Sequence, residues 1–384
     1  MHRGPDATIH RAPGLDLLRA AAIGWVMLYH LESYGVRLPG VVHHGWMGVD
    51  LFFVLSGYLI GWQLLKPYAC GEQPRWGQFM LRRGFRVLPA YLVVLALYFT
   101  VPAVREADGI APPWQFLTFT ANLFPDYFHH TAYSHAWSLC VEEHFYLLLP
   151  AIAWLLARKP TSGNIALSAM TVLVGGMLLR GWLWQHEVAP YAHLRSGENN
   201  FFLRYVEVIY IPTWNRLDGL LAGVMLAVVK AFRPQWWARA MSWGPAFLVL
   251  GVAGIFACMR VEAVSYFGAV ALFPLLSISL ACLVVAVLSP RTWPGRVAVP
   301  GACYLAAISF SLYLTHKQVY SWIHDSVGPH LPGSALLAFC LYNAAALVVA
   351  TVLYQAVERP CLRLRDRLLA TTARPGKPMP ATAP

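Results

Sequence analysis

The chain has 384 residues, 58% of them hydrophobic and only 12% charged, with a mean hydropathy of +0.51 and a formal net charge of +11. That balance excludes an ordinary soluble globular domain and a disordered chain alike. Lys and Arg cluster between apolar runs, so the positive charge marks topology and attraction to anionic lipid, not a nucleic-acid surface.

Apolar windows of about 20 residues recur along the chain, the length that crosses a ~30 Å hydrocarbon core. Spans are predicted at residues 14–36, 45–65, 87–104, 137–157, 163–185, 205–229, 244–259, 266–289, 301–323 and 332–356. The expected fold class is all-α, a polytopic membrane helical bundle of about ten transmembrane helices. The apolar stretch 114–124 is too short to cross and reads as interfacial or re-entrant. An inside N-terminus puts most Lys and Arg on inner segments, so both termini are expected to be cytoplasmic. Residues 1–13 are then a cytoplasmic segment, 14–360 the membrane domain, and 361–384, rich in Pro, Ala and Thr, a disordered cytoplasmic tail. No appended soluble domain is expected. The first span holds Arg19, His30 and Glu32 and is therefore no cleavable signal peptide. The seven cysteines show no CxxC or metal-ligand spacing, so neither disulfides nor a metal are indicated.

In the first span, Arg19 and His30 stand eleven positions apart. At 1.5 Å per residue that separates them by about 16 Å, roughly half the hydrocarbon thickness. Ionisable residues at that depth usually line a functional cavity. Arg19 either snorkels to the interface or serves such a cavity, and His30 is either a hydrogen-bonded core histidine or a base.

The second span opens with Gly45-Trp-Met-Gly48-Val-Asp50 and continues through Ser56-Gly57. Small residues at 45, 48 and 57 allow close helix approach. Asp50 enters at a depth comparable with His30 on the preceding antiparallel helix. It is either a helix N-terminal acid or the carboxylate that orients His30 as a general base.

Arg82-Arg83-Gly-Phe-Arg86-Val-Leu-Pro89-Ala-Tyr91 follows at the mouth of the third span. Arg82 and Arg86 share a helix face, and paired guanidinium donors suit a phosphate-bearing ligand, the alternative being a plain topology determinant. Trp137-Ser-Leu-Cys140-Val-Glu142-Glu143-His144-Phe-Tyr146 then places two acids inside the fourth span, as an ion pair or as part of a site. Arg216 with Asp218, and His316 with Lys317, repeat that ambiguity further on.

Together these segments closely resemble the acyltransferase-3 family of bacterial integral-membrane O-acyltransferases, from about residue 10 to Glu358-Arg359-Pro360. The family pattern is matched by Arg19 and His30, by Gly45 to Gly57 with Trp46 for the usual Phe, and by Arg82 to Tyr91. It is matched again by Trp137 to Tyr146, except that Cys140 and His144 replace Ser and Gln. The Arg216-Leu-Asp-Gly run and Ser309-Phe-Ser-Leu-Tyr-Leu-Thr-His316 also fit.

The resemblance implies a stand-alone, ten-span enzyme of the bacterial inner membrane. It would move an acyl group, typically acetyl, from cytoplasmic acyl-CoA to a hydroxyl of a glycan, lipid-linked sugar or small molecule. Its partners are then acyl-CoA, that acceptor and membrane lipid, with no metal cofactor. In this reading Arg82, Arg83 and Arg86, with Arg19, hold CoA phosphates, and His30 is the base, oriented by Asp50 or Glu143. Glu142, Arg216 and His316 are weaker candidates for substrate contact. The outer loops 105–136 and 186–204 are expected to choose the acceptor. The competing reading is a transporter or flippase of a glycan or lipid without acyl transfer.

Overall fold

The computed structural model describes residues 12–158, 162–197, 200–327 and 334–372, and among these every regular element is helical. Helix α1 (Pro13–Glu32) opens on a proline, whose missing N–H is one that a helix start leaves unpaired anyway. α2 (Met47–Ala69) returns beside it, and α3 (Trp76–Thr100) follows. α3 starts well before the span predicted at 87–104, so the three arginines lie within the helix. The stretch 114–124 yields only the five-residue α4 (Pro113–Leu117), and α5 (Trp137–Arg158) and α6 (Ser162–Leu183) come next.

The sixth predicted span, 205–229, is not one helix. α7 (Phe201–Tyr205) and a π-helical turn at Val206–Tyr210 stop before Pro212, and α8 (Asp218–Phe232) begins afresh. Proline lacks the N–H that would continue the ladder. Two buried ion pairs hold the opened backbone. Arg216 Nη2 donates to Asp50 Oδ1 of α2 at 2.7 Å, and Arg180 of α6 grips both oxygens of Asp218 at 2.9 and 3.1 Å. The same arginines satisfy carbonyls freed by the break, Arg216 that of Tyr210 at 3.0 Å and Arg180 that of Asn215 at 2.7 Å.

α9 (Pro234–Ser242) and α10 (Gly244–Cys258) meet at a 76° bend. Then come α11 (Phe273–Leu288), the short α12 (Trp293–Arg296), α13 (Ala302–Ser326) and α14 (Ala335–Leu353). Among the described residues four helical stretches are long and apolar enough to cross a membrane: Met47–Ala69, Gly163–Tyr191, Gly268–Leu288 and Ala335–Ala370. The bent α9–α10 pair makes a fifth if counted as one span.

The disordered tail expected from residue 361 is corrected over its first part. After a π-helical turn at Tyr354–Glu358 the chain continues as α15 (Arg359–Thr372). Pro360 lies within a helical stretch that runs on from α14, directly after that π-helical turn. Leu and Arg, both good helix formers, dominate residues 361–369. Glu358, buried, anchors the junction by accepting hydrogen bonds from Arg86 of α3 and from Ser311 Oγ of α13. Residues 373–384 and the N-terminal segment up to residue 11 lie outside the described residues.

Glycine sets the spacing of the central helices. A Cβ on Gly48 would stand 2.6 Å from the Ala22 carbonyl oxygen of α1, so α1 and α2 touch backbone to backbone. One on Gly57 would stand 2.1 Å from the Leu220 carbonyl oxygen, which fixes α2 against α8 in the same way. This is the close approach expected from the small residues of the second span.

Candidate active site

Two adjoining cavities open in the bundle. The first, of about 160 Å³, is lined by Arg19 of α1, Ser56 of α2, Arg83 and Arg86 of α3, and Glu142, Glu143 and Tyr146 of α5. Arg83 lies with its guanidinium carbon 3.7 Å from the Tyr146 ring centre and a terminal nitrogen 4.0 Å from Glu142. Its Nε is buried without a hydrogen-bond partner in the structure, as are those of Arg180 and Arg216, but among these three arginines it alone lines a cavity. The Tyr146 hydroxyl donates to Glu142 Oε2 at 2.7 Å and shares a hydrogen bond with Ser56 Oγ.

The arginine cluster is thus partly redistributed. Arg82 is exposed and lines neither cavity, because the helical turn directs Arg83 and Arg86 inward instead. Arg86 is already bonded to Glu358. Arg19 reaches the same cavity from the neighbouring helix, 3.9 Å from Asp16.

The second cavity, of about 280 Å³, is lined by His30 of α1 together with aromatic side chains, among them Tyr29, Trp46, Trp137 and Tyr210. The segments 105–136 and 186–204 both contribute, through Tyr127, Ser134, His135, Phe202 and Leu203. Burial pushes the Tyr127 hydroxyl up from its ordinary value; it stays protonated and donates to the Ser134 carbonyl oxygen at 2.9 Å. α1 therefore passes both cavities, giving Arg19 to one and His30 to the other.

His30 does not pair with Asp50 or Glu143. Its Nδ1 lies 3.0 Å from Nε2 of His316 on α13. His316 Nδ1 is 2.9 Å from the Leu312 carbonyl oxygen, which only an N–H can satisfy. In the neutral pair His316 Nε2 is then the acceptor, and His30 Nδ1 carries the proton. This network assigns the lone pair to His30 Nε2, on a ring that lines the cavity.

Asp50 is committed to Arg216, and the pair is buried. Arg216 is ringed by aromatics, with its guanidinium carbon 4.1 Å from the Phe273 ring centre and 4.5 Å from that of Tyr210. Neither residue lines either cavity, and the pair braces the break before α8. Glu142 and Glu143 belong to the arginine cavity, away from His30. His316 is fully buried behind His30 and lines neither cavity.

The cavities share two wall residues, Val49 and Tyr313. The Tyr313 hydroxyl donates to the His135 carbonyl oxygen at 2.8 Å and is bonded to Ser138 Oγ at 2.6 Å. Beside them a loop carboxylate, Glu106, takes hydrogen bonds from Tyr98 Oη at 2.6 Å and the Tyr133 N–H at 3.0 Å, and lies 3.2 Å from Lys317 Nζ. Sequence reasoning singled out neither Tyr313 nor Glu106. Tyr313 sits three residues before His316, on the same helix face, and that spacing was the available signal.

A helical membrane protein with two ionisable internal cavities, set on either side of a common wall, is the class that this fold and site define. The chain belongs to the acyltransferase-3 family: the family profile, described as an acyltransferase domain, matches residues 13–355. It is 27% identical over 373 residues to "Putative O-acetyltransferase SACOL0978" of Staphylococcus aureus strain COL, covering 91% of this chain and 57% of that protein. It is 30% identical over 230 residues to the O-acetyltransferase OatA of S. aureus strain NCTC 8325, covering 56% of this chain and 34% of that protein. The chain thus spans little more than half the length of the first of these relatives and about a third of the second. No solved structure matches it.

Proposed function

We propose that this protein is a membrane O-acyltransferase, taking an acyl group, acetyl by analogy with the names of its relatives, from acyl-CoA to a hydroxyl acceptor. The observation that carries the reading is the common wall: a cationic cavity with an unpartnered arginine donor meets a histidine cavity at Val49 and Tyr313. Ten spans, cytoplasmic termini and a bacterial inner-membrane location belong to the same proposal. They put the arginine cavity on the cytoplasmic side, where acyl-CoA is available, and leave the aromatic histidine cavity for a glycan, lipid-linked sugar or small-molecule acceptor.

In this mechanism Arg83 and Arg19 attract the phosphates of CoA, with Arg86 beside them held to Glu358. The pantetheine arm follows α1, whose rise from Arg19 to His30 is about 16 Å, and brings the thioester to the wall. His30 Nε2 accepts the acceptor hydroxyl's proton as its oxygen bonds to the carbonyl carbon. Collapse breaks the carbon–sulfur bond, and the departing thiolate takes the proton from His30, giving ester and free CoA. His316 holds His30 in the tautomer that this step requires, as the third group of a triad does.

Transfer suits the geometry better than transport of an intact glycan, because the cavities meet at Val49 and Tyr313, a wall that a slender arm passes more readily than a glycan. Acyl-CoA-dependent release of CoA by the purified protein, together with labelling of the acceptor by the acyl group, tests the reading. No thiol release above that of the His30→Ala variant would overturn it.

A further inference from the structure

We propose that the Tyr313 hydroxyl is the hydrogen-bond donor to the thioester carbonyl oxygen as it becomes an oxyanion, with Ser138 holding Tyr313 in place. This inference rests on the acyl-transfer reading above and names the group that reading lacks. Attack on a thioester moves the carbonyl π pair onto oxygen, and a fixed donor at that point is often the largest single contribution to catalysis.

The donor has to stand where the two substrates meet. Tyr313 lines both cavities, whereas His30 lines only the second and Arg83 only the first. The other shared residue, Val49, has no polar atom in its side chain. Ser138 lines the arginine cavity directly beside Tyr313.

Proton placement supports the assignment. Tyr313 has a single hydroxyl proton, and it goes to the His135 carbonyl oxygen at 2.8 Å. Ser138 Oγ stands farther from that carbonyl, at 3.5 Å, so the 2.6 Å contact uses the serine proton, with Tyr313 Oη accepting. Ser138 thus fixes and polarises the tyrosine hydroxyl, which keeps its own proton to give. In the resting state that proton rests on a neutral carbonyl. A developing oxyanion is a stronger acceptor, so turning the O–H from the His135 carbonyl to the thioester oxygen becomes favourable as charge appears. An interaction stronger in the transition state than in the ground state lowers the barrier without tightening substrate binding.

The test uses the full chain in detergent, with acetyl-CoA as donor and methyl glucoside as model hydroxyl acceptor. Tyr313→Phe keeps the ring in the wall and removes only the hydroxyl. We expect kcat to fall about 100-fold, in the range seen when one oxyanion donor is removed, with KM for acetyl-CoA and affinity for CoA within about twofold. Ser138→Ala should lower kcat by a smaller factor. Tyr313→3-fluorotyrosine, which restores a more acidic hydroxyl, should return kcat to the wild-type level or above.

A Tyr313→Phe enzyme within about threefold of wild type, alongside an inactive His30→Ala, would overturn this proposal and leave acyl transfer standing. Parallel loss of CoA affinity and thermal stability in Tyr313→Phe would overturn it too, showing a packing role. Equal CoA release by wild type and His30→Ala would instead remove the underlying reading.

Discussion

His30 Nδ1 and His316 Nε2 lie 3.0 Å apart although 286 positions separate the two residues in the chain. The contact joins α1 and α13, and through Leu312 it decides which nitrogen of His30 is basic. His30→Ala should lower transfer by about 10²–10⁴-fold, the usual contribution of a general base, while the protein still folds and binds CoA. His316→Phe, which keeps the ring volume and removes the acceptor, should lower kcat and leave KM for acyl-CoA unchanged. Steady-state kinetics on both variants checks this; wild-type kcat in either one contradicts the assigned tautomer.

Arg83 and Arg82 are neighbours with opposite surroundings, one in the cavity and one exposed. Arg83→Ala should weaken CoA by about 10–100-fold, as expected for one charge-assisted hydrogen bond of roughly 1.5–3 kcal/mol. Arg82→Ala should change CoA affinity less than about threefold, as loss of a surface charge does. Calorimetric titration with CoA measures both, and equal losses would place the phosphates elsewhere.

Val49 is the apolar half of the wall between the cavities. Val49→Phe should obstruct passage of the acyl arm, lowering kcat at least tenfold, on the order of the loss from a small misplacement of reacting groups. CoA affinity should be retained. Val49→Ala should shift preference from acetyl- toward longer acyl-CoA, by about the 10–200-fold that one methylene is worth in an apolar pocket. Competition between acetyl- and hexanoyl-CoA gives the ratio, and an unchanged ratio argues against the wall setting acyl length.

Asp50 and Arg216 form a buried pair with side chains 3% and 1% exposed. Removing one partner strands a charge, so Asp50→Ala or Arg216→Ala should each destabilise by about 3–5 kcal/mol. Asp50→Leu with Arg216→Met should lose much less than the sum of the two single losses. Thermal unfolding followed by detergent-compatible fluorescence reports all of these. Stable single variants with lost chemistry would return the pair to a catalytic role.

Much of this site was legible in order but not in contact. The positions of Arg19 and His30 on one helix follow from an eleven-residue interval and a fixed rise per residue, and the structure keeps them on α1 at the two cavities. The small residues at 48 and 57 announced close packing for the same local reason. The partner of Asp50 was not legible, because depth along an antiparallel neighbour says nothing about direction around the helix. Its carboxylate turns to Arg216 on the far side of α2. The break in the sixth span was not legible because hydropathy averages over a window, so one proline and two buried ion pairs disappear into the apolar residues around them.

The sequence by itself determined the class, the helical content and the chemical types gathered in the first half of the chain, because hydrophobic length, charge placement and helical period are local quantities. Only the tertiary structure decided which of those groups meet. His316 orients His30, Glu358 claims Arg86, and Tyr313 stands between the two cavities. These are pairings between distant helices, fixed by backbone approach at glycines and by the need of each buried polar atom for a partner, and neither is encoded in spacing along the chain.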